Sequence, residues 1–285
     1  MLKQRVITAV VLLALLLPAL FYQESWAWRS VTLVLVAAAG WEWSRLNGLG
    51  QFAAWLFGFA CLLACVMSWD LGLTERSLPA LWVVAASSWV LLGAALLRRG
   101  VAGWRELPQA LRLSGGLMAL WLLWLAVVQA HSIGAGFLLS VLASVWVADI
   151  GAYFSGRTLG GRFIKNKLAP TISPGKTWEG VWGGAFGVLL LALAWGITET
   201  GTLGLSVSLF SHLLNQANAL ILILGMLLLT GMSVVGDLLE SLVKRSAGVK
   251  DSSRLLPGHG GVLDRIDALL PTLPLAMMFY SLLKP

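Results

Sequence analysis

Charge is scarce in this sequence. Only 12% of its 285 residues are Asp, Glu, Lys or Arg, against roughly a quarter in an ordinary soluble domain. A soluble fold of this length buries about three quarters of its surface and still needs a polar skin. Twenty basic and 13 acidic residues are too few to build one. That excludes a soluble globular enzyme, a disordered chain and a coiled coil. Cysteine is scarce too, with Cys61 and Cys65 alone. They sit four apart in an apolar run, which predicts neighbouring turns of a buried helix and permits neither a disulfide framework nor a Cys-based metal site. Internal repeats and low-complexity linkers are absent. In their place stand 58% hydrophobic residues and 15 Trp. What remains is an all-α polytopic integral membrane protein. The net charge of +7 fits basic loops beside anionic lipid and not a nucleic-acid surface.

About 20 apolar residues cross a bilayer as a helix. Nine segments qualify: 6–22, 27–44, 52–69, 79–97, 113–130, 134–154, 179–198, 217–236 and 266–283. β-barrel strands would be about 10 residues long and alternate in polarity. Lys3 and Arg5 before a Val/Leu run resemble a signal peptide, but Pro18 and the lack of a small-residue cleavage site favour a retained first helix. With a cytoplasmic N-terminus and alternating spans, every basic residue except Arg29, Arg76 and Lys284 falls on the inner side. This bias supports nine spans and places the chain in the cell's inner, cytoplasmic membrane with its polar end facing the cytoplasm. Trp26, Trp28, Trp41, Trp43, Trp69, Trp104, Trp178 and Trp182 fall near span ends, where indoles anchor at headgroup level. Within a single membrane domain, residues 1–130 form the N-terminal helices and 131–285 the region that carries chemistry.

Two connections, 155–178 and 237–265, are long, polar and rich in Gly, Pro and Lys/Arg, and both lie on the expected inner side. Segment 98–112 is basic and interfacial. The outer loop 199–216 holds Glu199 and His212 and no recognisable chemistry. Acids in or beside a span are costly, so each needs a reason. Asp149 ends the sixth span, Glu179 opens the seventh, Asp237 and Glu240 share a helix face, and Asp264 and Asp267 lie three apart at the start of the ninth. Six acids on one face without a Cys or His cluster suit Mg²⁺, which keeps its waters and bridges carboxylate to substrate phosphate. For single acids the plain alternatives are helix capping by Glu179 and Asp264, or Glu240 pairing with Lys244.

The first polar loop contains Ser173-Pro174-Gly175-Lys176-Thr177-Trp178-Glu179-Gly180. Gly175-Lys176-Thr177 is similar to the end of a P-loop, but Pro170 stands where that motif needs Gly and no strand precedes it. A Ser/Thr/Lys loop entering a helix start can still hold phosphate, or merely touch lipid headgroups. The second loop, 241–267, alternates Lys, Arg, His and Asp with glycines that let backbone approach a ligand closely. Such a surface can hold phosphates by charge and a metal by carboxylate.

This segment resembles the signature of the phosphatidate cytidylyltransferases, or CDP-diacylglycerol synthases. The match runs through Ser241, Lys244, Arg245, Lys250, Asp251, Pro257, His259, Gly260, Gly261, Asp264, Arg265 and Asp267. The stretch 173–180, Asp149 to Tyr153 and Gly236 to Ser241 are similar to that family as well, with Ile150 standing where the family often has Ser or Thr. The resemblance covers about 145–285; before that only Trp41-Glu42-Trp43 is of the family's kind. It implies that phosphatidate and CTP are joined to CDP-diacylglycerol with release of pyrophosphate, at a pocket on the cytoplasmic end of the C-terminal helices. The resemblance further implies Mg²⁺ on Asp237 and Asp264, with room for a second, monovalent cation. Glu240 and Asp267 would support them or orient cations, Ser173, Lys176, Thr177, Glu179 and Asp149 would serve the substrates and their phosphates, and Lys244, Arg245, Lys250 and Arg265 would neutralise phosphate charge. His259 would donate to a phosphate. A homodimer is also implied. Two other classes remain open: a membrane kinase that uses CTP on an alcohol, and a transporter, which would show repeats and polar groups near mid-membrane.

Overall fold

The computed structural model describes residues 2–22, 24–199 and 207–283. It is all helical: α1 (Leu2–Phe21), α2 (Ser25–Leu46), α3 (Gln51–Asp70), α4 (Pro79–Glu106), α5 (Gln109–Ile133), α6 (Ala135–Leu159), α7 (Trp178–Glu199), α8 (Leu209–Gln216), α9 (Ala219–Ser246), α10 (Leu263–Ile266) and α11 (Leu269–Leu282). Seven of these are long and apolar enough to cross a membrane: α1, α3, α4, α5, α6, α7 and α9. Their outer faces carry the apolar side chains that such a helix offers to lipid, as with Val10 and Val11 on α1 and Phe52 and Phe59 on α3.

Each of the nine expected segments falls on a helix, but two fall short of that description. α2 carries Arg29, Glu42 and Arg45. The last segment is divided between α10 and α11, and α11 has 14 residues, about 21 Å of helix against a hydrocarbon core of about 30 Å. Every residue from Leu270 to Met277 is buried, as in a helix enclosed on all sides. α4, α5 and α9 pack around it. The segment 199–216 contains a further short helix, α8, capped by the Ser208 side chain; Glu199 lies beyond the described side chains.

Helix ends also move. α9 continues ten residues past the expected end at 236, because Leu238, Leu239, Leu242 and Val243 keep the buried helical period while charged residues occupy the other face. Asp237 and Glu240 share a helix, as expected, and Lys244 and Arg245, expected in the second loop, are helical as well. α4 likewise runs through most of the basic segment 98–112, turning at Gly100 with φ +66°. Four tryptophans expected as interfacial anchors turn inward. Trp28, Trp41 and Trp104 are buried, and Trp43 donates its Nε1–H to the Arg112 carbonyl at 2.9 Å. Trp26 and Trp182 do face outward. Cys61 and Cys65 are free and buried, as expected.

Two close approaches set the site. α6 and α7 meet backbone to backbone, since a Cβ on Gly184 would lie 2.6 Å from the Ala148 carbonyl. α9 meets the start of the final helices at Gly236, where a Cβ would strike the Asp267 carbonyl and the Pro271 ring.

Candidate active site

The polar residues gather at one end of the bundle, at the C-terminal ends of α2, α4, α6 and α9 and the N-terminal end of α1. A cavity of about 350 Å³ opens there, lined by Asp149, Asp237, Ser241, Lys244, Arg245, Lys250, Asp251, Asp264, Arg265 and Asp267. Asp149 comes from α6, Asp237 to Arg245 from α9, and Asp264 and Arg265 from α10. Helical spacing explains the α9 contribution: positions 237, 241, 244 and 245 lie on one face, opposite the buried leucines.

Lys176, in the loop before α7, crosses to α9 and places its Nζ 2.6 Å from Asp237 Oδ2. Ser241 donates to Asp237 Oδ1 at 3.3 Å. Lys244 bridges two acids, pairing with Glu240 one turn earlier and donating to Asp264 Oδ1 at 2.6 Å. Glu240 is buried behind Lys244, with its side chain 1% exposed. The second oxygen of Asp264, Oδ2, accepts three bonds: from the Ser252 N–H at 2.9 Å, the Ser252 hydroxyl at 2.9 Å and the Gly261 N–H at 2.7 Å. Burial alone would raise the pKa of Asp264. Its side-chain contacts with Glu240 and Lys244 and the Gly261 and Ser252 N–H groups outweigh burial and hold it at about 2.

Besides Glu240 and Lys176, four of the residues named from sequence are absent from the cavity lining. Glu179 is buried, and its Oε1 accepts the N–H groups of Gly161, Phe163 and Ile164 at 3.0–3.1 Å, so it folds the loop that carries Lys176. Thr177 Oγ1 accepts the Gly180 N–H at 3.1 Å, as a residue opening a helix does. Ser173 sits in the tight turn 169–173, its N–H bonded to the Ala169 carbonyl at 2.8 Å. His259 lies half-buried in the turn 256–260, with no hydrogen-bond partner for Nδ1 among the described residues.

The glycines of the signature also serve a different neighbour from the one expected. Gly260 has φ +85°, and a Cβ there would lie 2.5 Å from Asp264 Oδ2. A Cβ on Gly261 would run into Ser252 Oγ and Glu42 Oε1. Both positions admit backbone beside the protein's own carboxylates, where no side chain fits.

Glu42 is the principal residue that the sequence reading passed over. Fully buried in α2, it accepts bonds from Ser252, Ser253, Val262 and Leu263. An acid in an apolar span demands a reason, and that demand, applied to Trp41-Glu42-Trp43, was the available signal. Other N-terminal residues brace the same end. Arg5 donates to the Gly258 carbonyl at 3.0 Å and Thr8 to that of Pro257 at 2.9 Å. Arg105 at the end of α4 donates to the Ser246 carbonyl at 2.9 Å, where a cation meets the C-terminus of α9.

Among the described residues no three acidic, His or Cys side chains form a ready metal cage. The cavity instead alternates carboxylates with ammonium and guanidinium groups, a surface for a polyanion and its counter-cation. A family model described as "Cytidylyltransferase family" matches residues 3–283. The chain belongs to the cytidylyltransferase family. Its membership extends across the N-terminal helices, beyond the 145–285 stretch that carries the sequence resemblance. The chain is similar, at 39% identity, to the phosphatidate cytidylyltransferase of Pseudomonas aeruginosa, over 96% of this chain and 95% of the relative. It is 37% identical to that of Haemophilus influenzae, over 98% and 99%, and 36% identical to that of Brucella suis, over 98% and 93%. This member of the family is thus a nucleotidyltransferase, and its apolar helices make it a multi-pass membrane protein.

Proposed function

We propose that this chain joins CTP and phosphatidate to give CDP-diacylglycerol and pyrophosphate. The observation that carries the proposal is the cavity itself. Lys244, Arg245, Lys250 and Arg265 line it together with Asp149, Asp237, Asp264 and Asp267, at the end of a bundle whose helices are long and apolar enough to cross a membrane. A phosphatidate phosphate oxygen attacks the α-phosphorus of CTP, a new P–O bond forms, and the bond from the α-phosphorus to the bridging oxygen breaks as pyrophosphate leaves. The nucleophile is already an anion, so the residues are not asked for a strong base. Their work is to hold two polyanions together and to neutralise the leaving charge.

The donors fit Mg²⁺, which commonly takes only one or two carboxylates and completes its shell with water and phosphate. Asp237 and Asp264 are the ligands we assign. Asp237 keeps lone pairs to spare beside Lys176. Asp264 would offer Oδ1, which it presents beside Lys244, since Oδ2 is held by the Ser252 and Gly261 N–H groups. Mg²⁺ bound there would supply charge to the phosphates. Lys176, freed from Asp237, would turn to a substrate phosphate, while Arg245, Lys250 and Arg265 take the phosphatidate and pyrophosphate charges. The basic bias of this end supports a cytoplasmic orientation in the inner membrane, where cytosolic CTP and a lipid in the inner leaflet meet.

The test is an assay of the purified chain in mixed micelles with labelled CTP, phosphatidate and Mg²⁺. A labelled CDP-lipid and free pyrophosphate are expected. Absence of the CDP-lipid with all three present would overturn the proposal, and CDP with a phosphorylated lipid would indicate a kinase.

A further inference from the structure

Glu42 is a carboxylate with 0% exposure, and it belongs to none of the ion pairs of the described residues. Burying an unpaired charge costs several kcal/mol unless hydrogen bonds replace the lost water. Here three donors do so, and a fourth, the Ser252 hydroxyl, is shared with Asp264. Oε1 accepts the Ser253 hydroxyl at 2.5 Å and the Val262 N–H at 2.9 Å. Oε2 accepts the Leu263 N–H at 2.7 Å and faces the Ser252 hydroxyl at 3.1 Å. These donors sit at the two ends of one loop, so Glu42 ties residues 252–253 to 262–263 from a helix more than 200 positions earlier.

The same two ends hold Asp264. Ser252 gives it a backbone N–H and a hydroxyl contact, and Gly261, next to Val262, gives it another N–H. A serine hydroxyl has a single proton, so Ser252 links the two carboxylates but can donate to only one at a time. With Oδ2 fixed on the loop, Oδ1 is aimed at Lys244 and the cavity. Gly261 leaves room for Glu42 to reach this position.

We infer that Glu42 is a positioning residue of the active site, acting through Ser252 and the loop it closes to fix the orientation of the Asp264 carboxylate. The inference rests on the proposal that Asp264 holds a divalent cation. It gives the N-terminal half a part in the chemistry: α2 docks against the signature loop and sets the geometry of its acid.

The experiment uses the full chain in detergent micelles, with Mn²⁺ as a paramagnetic probe of the cation site and CDP-lipid formation as the activity. Circular dichroism and size exclusion establish folding. Glu42→Gln keeps the volume but replaces one acceptor by a donor. It is expected to weaken Mn²⁺ binding about tenfold and to lower turnover by about 10- to 100-fold, the range found for residues that orient metal ligands. The KM for CTP is expected to stay within about twofold, as for loss of an interaction made in the transition state. In an Asp264→Asn background Glu42→Gln should add almost nothing, because residues that act through one another are not additive. Wild-type Mn²⁺ affinity in folded Glu42→Gln, or full additivity with Asp264→Asn, overturns the inference. Wild-type Mn²⁺ affinity in Asp264→Asn overturns instead the assignment of Asp264 as a ligand, and the inference with it. If Glu42→Gln fails to fold, Ser253→Ala decides. It removes one donor to Glu42 without touching Asp264 and should weaken Mn²⁺ binding about tenfold, the lower end of the same range; no change overturns the inference.

Discussion

Lys176 and Asp237 join the two polar segments of the chain. Their side chains meet at 2.6 Å, one from the loop before α7 and the other from α9. The pair is partly open to solvent, so its contribution to stability is small, under about 1 kcal/mol. Its predicted importance lies in the reaction. Lys176→Gln and Asp237→Asn should each leave the unfolding temperature nearly unchanged and reduce CDP-lipid formation by at least about 100-fold, the scale of one lost electrostatic contact to the transition state. Steady-state assays beside thermal melts would measure both. Near-full activity in either variant would remove that residue from the site.

Glu240 and Lys244 behave differently because Glu240 is buried and Lys244 half-buried beside it. Lys244→Met leaves the buried Glu240 carboxyl without its partner, and loss of one partner of a buried ion pair costs up to about 3–5 kcal/mol. The prediction is a marked fall in the unfolding midpoint together with loss of activity. The double substitution Glu240→Leu/Lys244→Leu should regain much of the stability and none of the activity. Recovery of turnover in the double variant would show that Lys244 serves only as the counter-ion of Glu240.

Gly261→Ala should inactivate the protein, since the added methyl group would collide with Ser252 and Glu42. Gly231→Ala is the matched control on α9, where an added Cβ meets nothing within 4 Å. There the gain in helix propensity is worth about 0.5–1 kcal/mol, and activity should hold. An active Gly261→Ala would mean that the loop can open by a route the structure does not show.

Removal of divalent cation is predicted to stop the reaction and its return to restore it. Chelator in excess should abolish CDP-lipid formation, and Mg²⁺ added back should restore it, with half-saturation raised by about tenfold or more in Asp237→Asn. Activity undiminished in chelator would rule out the metal assignment.

The parts of the site that are local in sequence were legible there. Asp237, Lys244, Asp264 and Arg265 fall within the last 50 residues, and their spacing on helix faces could be counted. The reach of α9 to Ser246 was harder to see, because Asp237 and Glu240 interrupt the apolar run. Only the alternate face, Leu238, Leu239, Leu242 and Val243, betrays the continuing helix. Thr177 and Glu179 carry the right chemistry for phosphate, but their oxygens are used on backbone N–H groups, an outcome that depends on how the loop folds. Glu42 was hidden for another reason. Its partners lie at positions 252–263, and no periodicity within α2 refers to them. The inward turn of Trp28, Trp41 and Trp104 is of the same kind: an indole near a span end suits the interface, and only tertiary packing decides against it.

The reaction itself is open to one decisive measurement. CTP labelled separately in its α- and γ-phosphates is offered to the chain in mixed micelles with phosphatidate and Mg²⁺. Transfer of the α-label to the lipid fraction, with the γ-label recovered in pyrophosphate, is the predicted result, because attack at the α-phosphorus expels the two outer phosphates together. Transfer of the γ-label to the lipid, or retention of both labels in CTP, would contradict it.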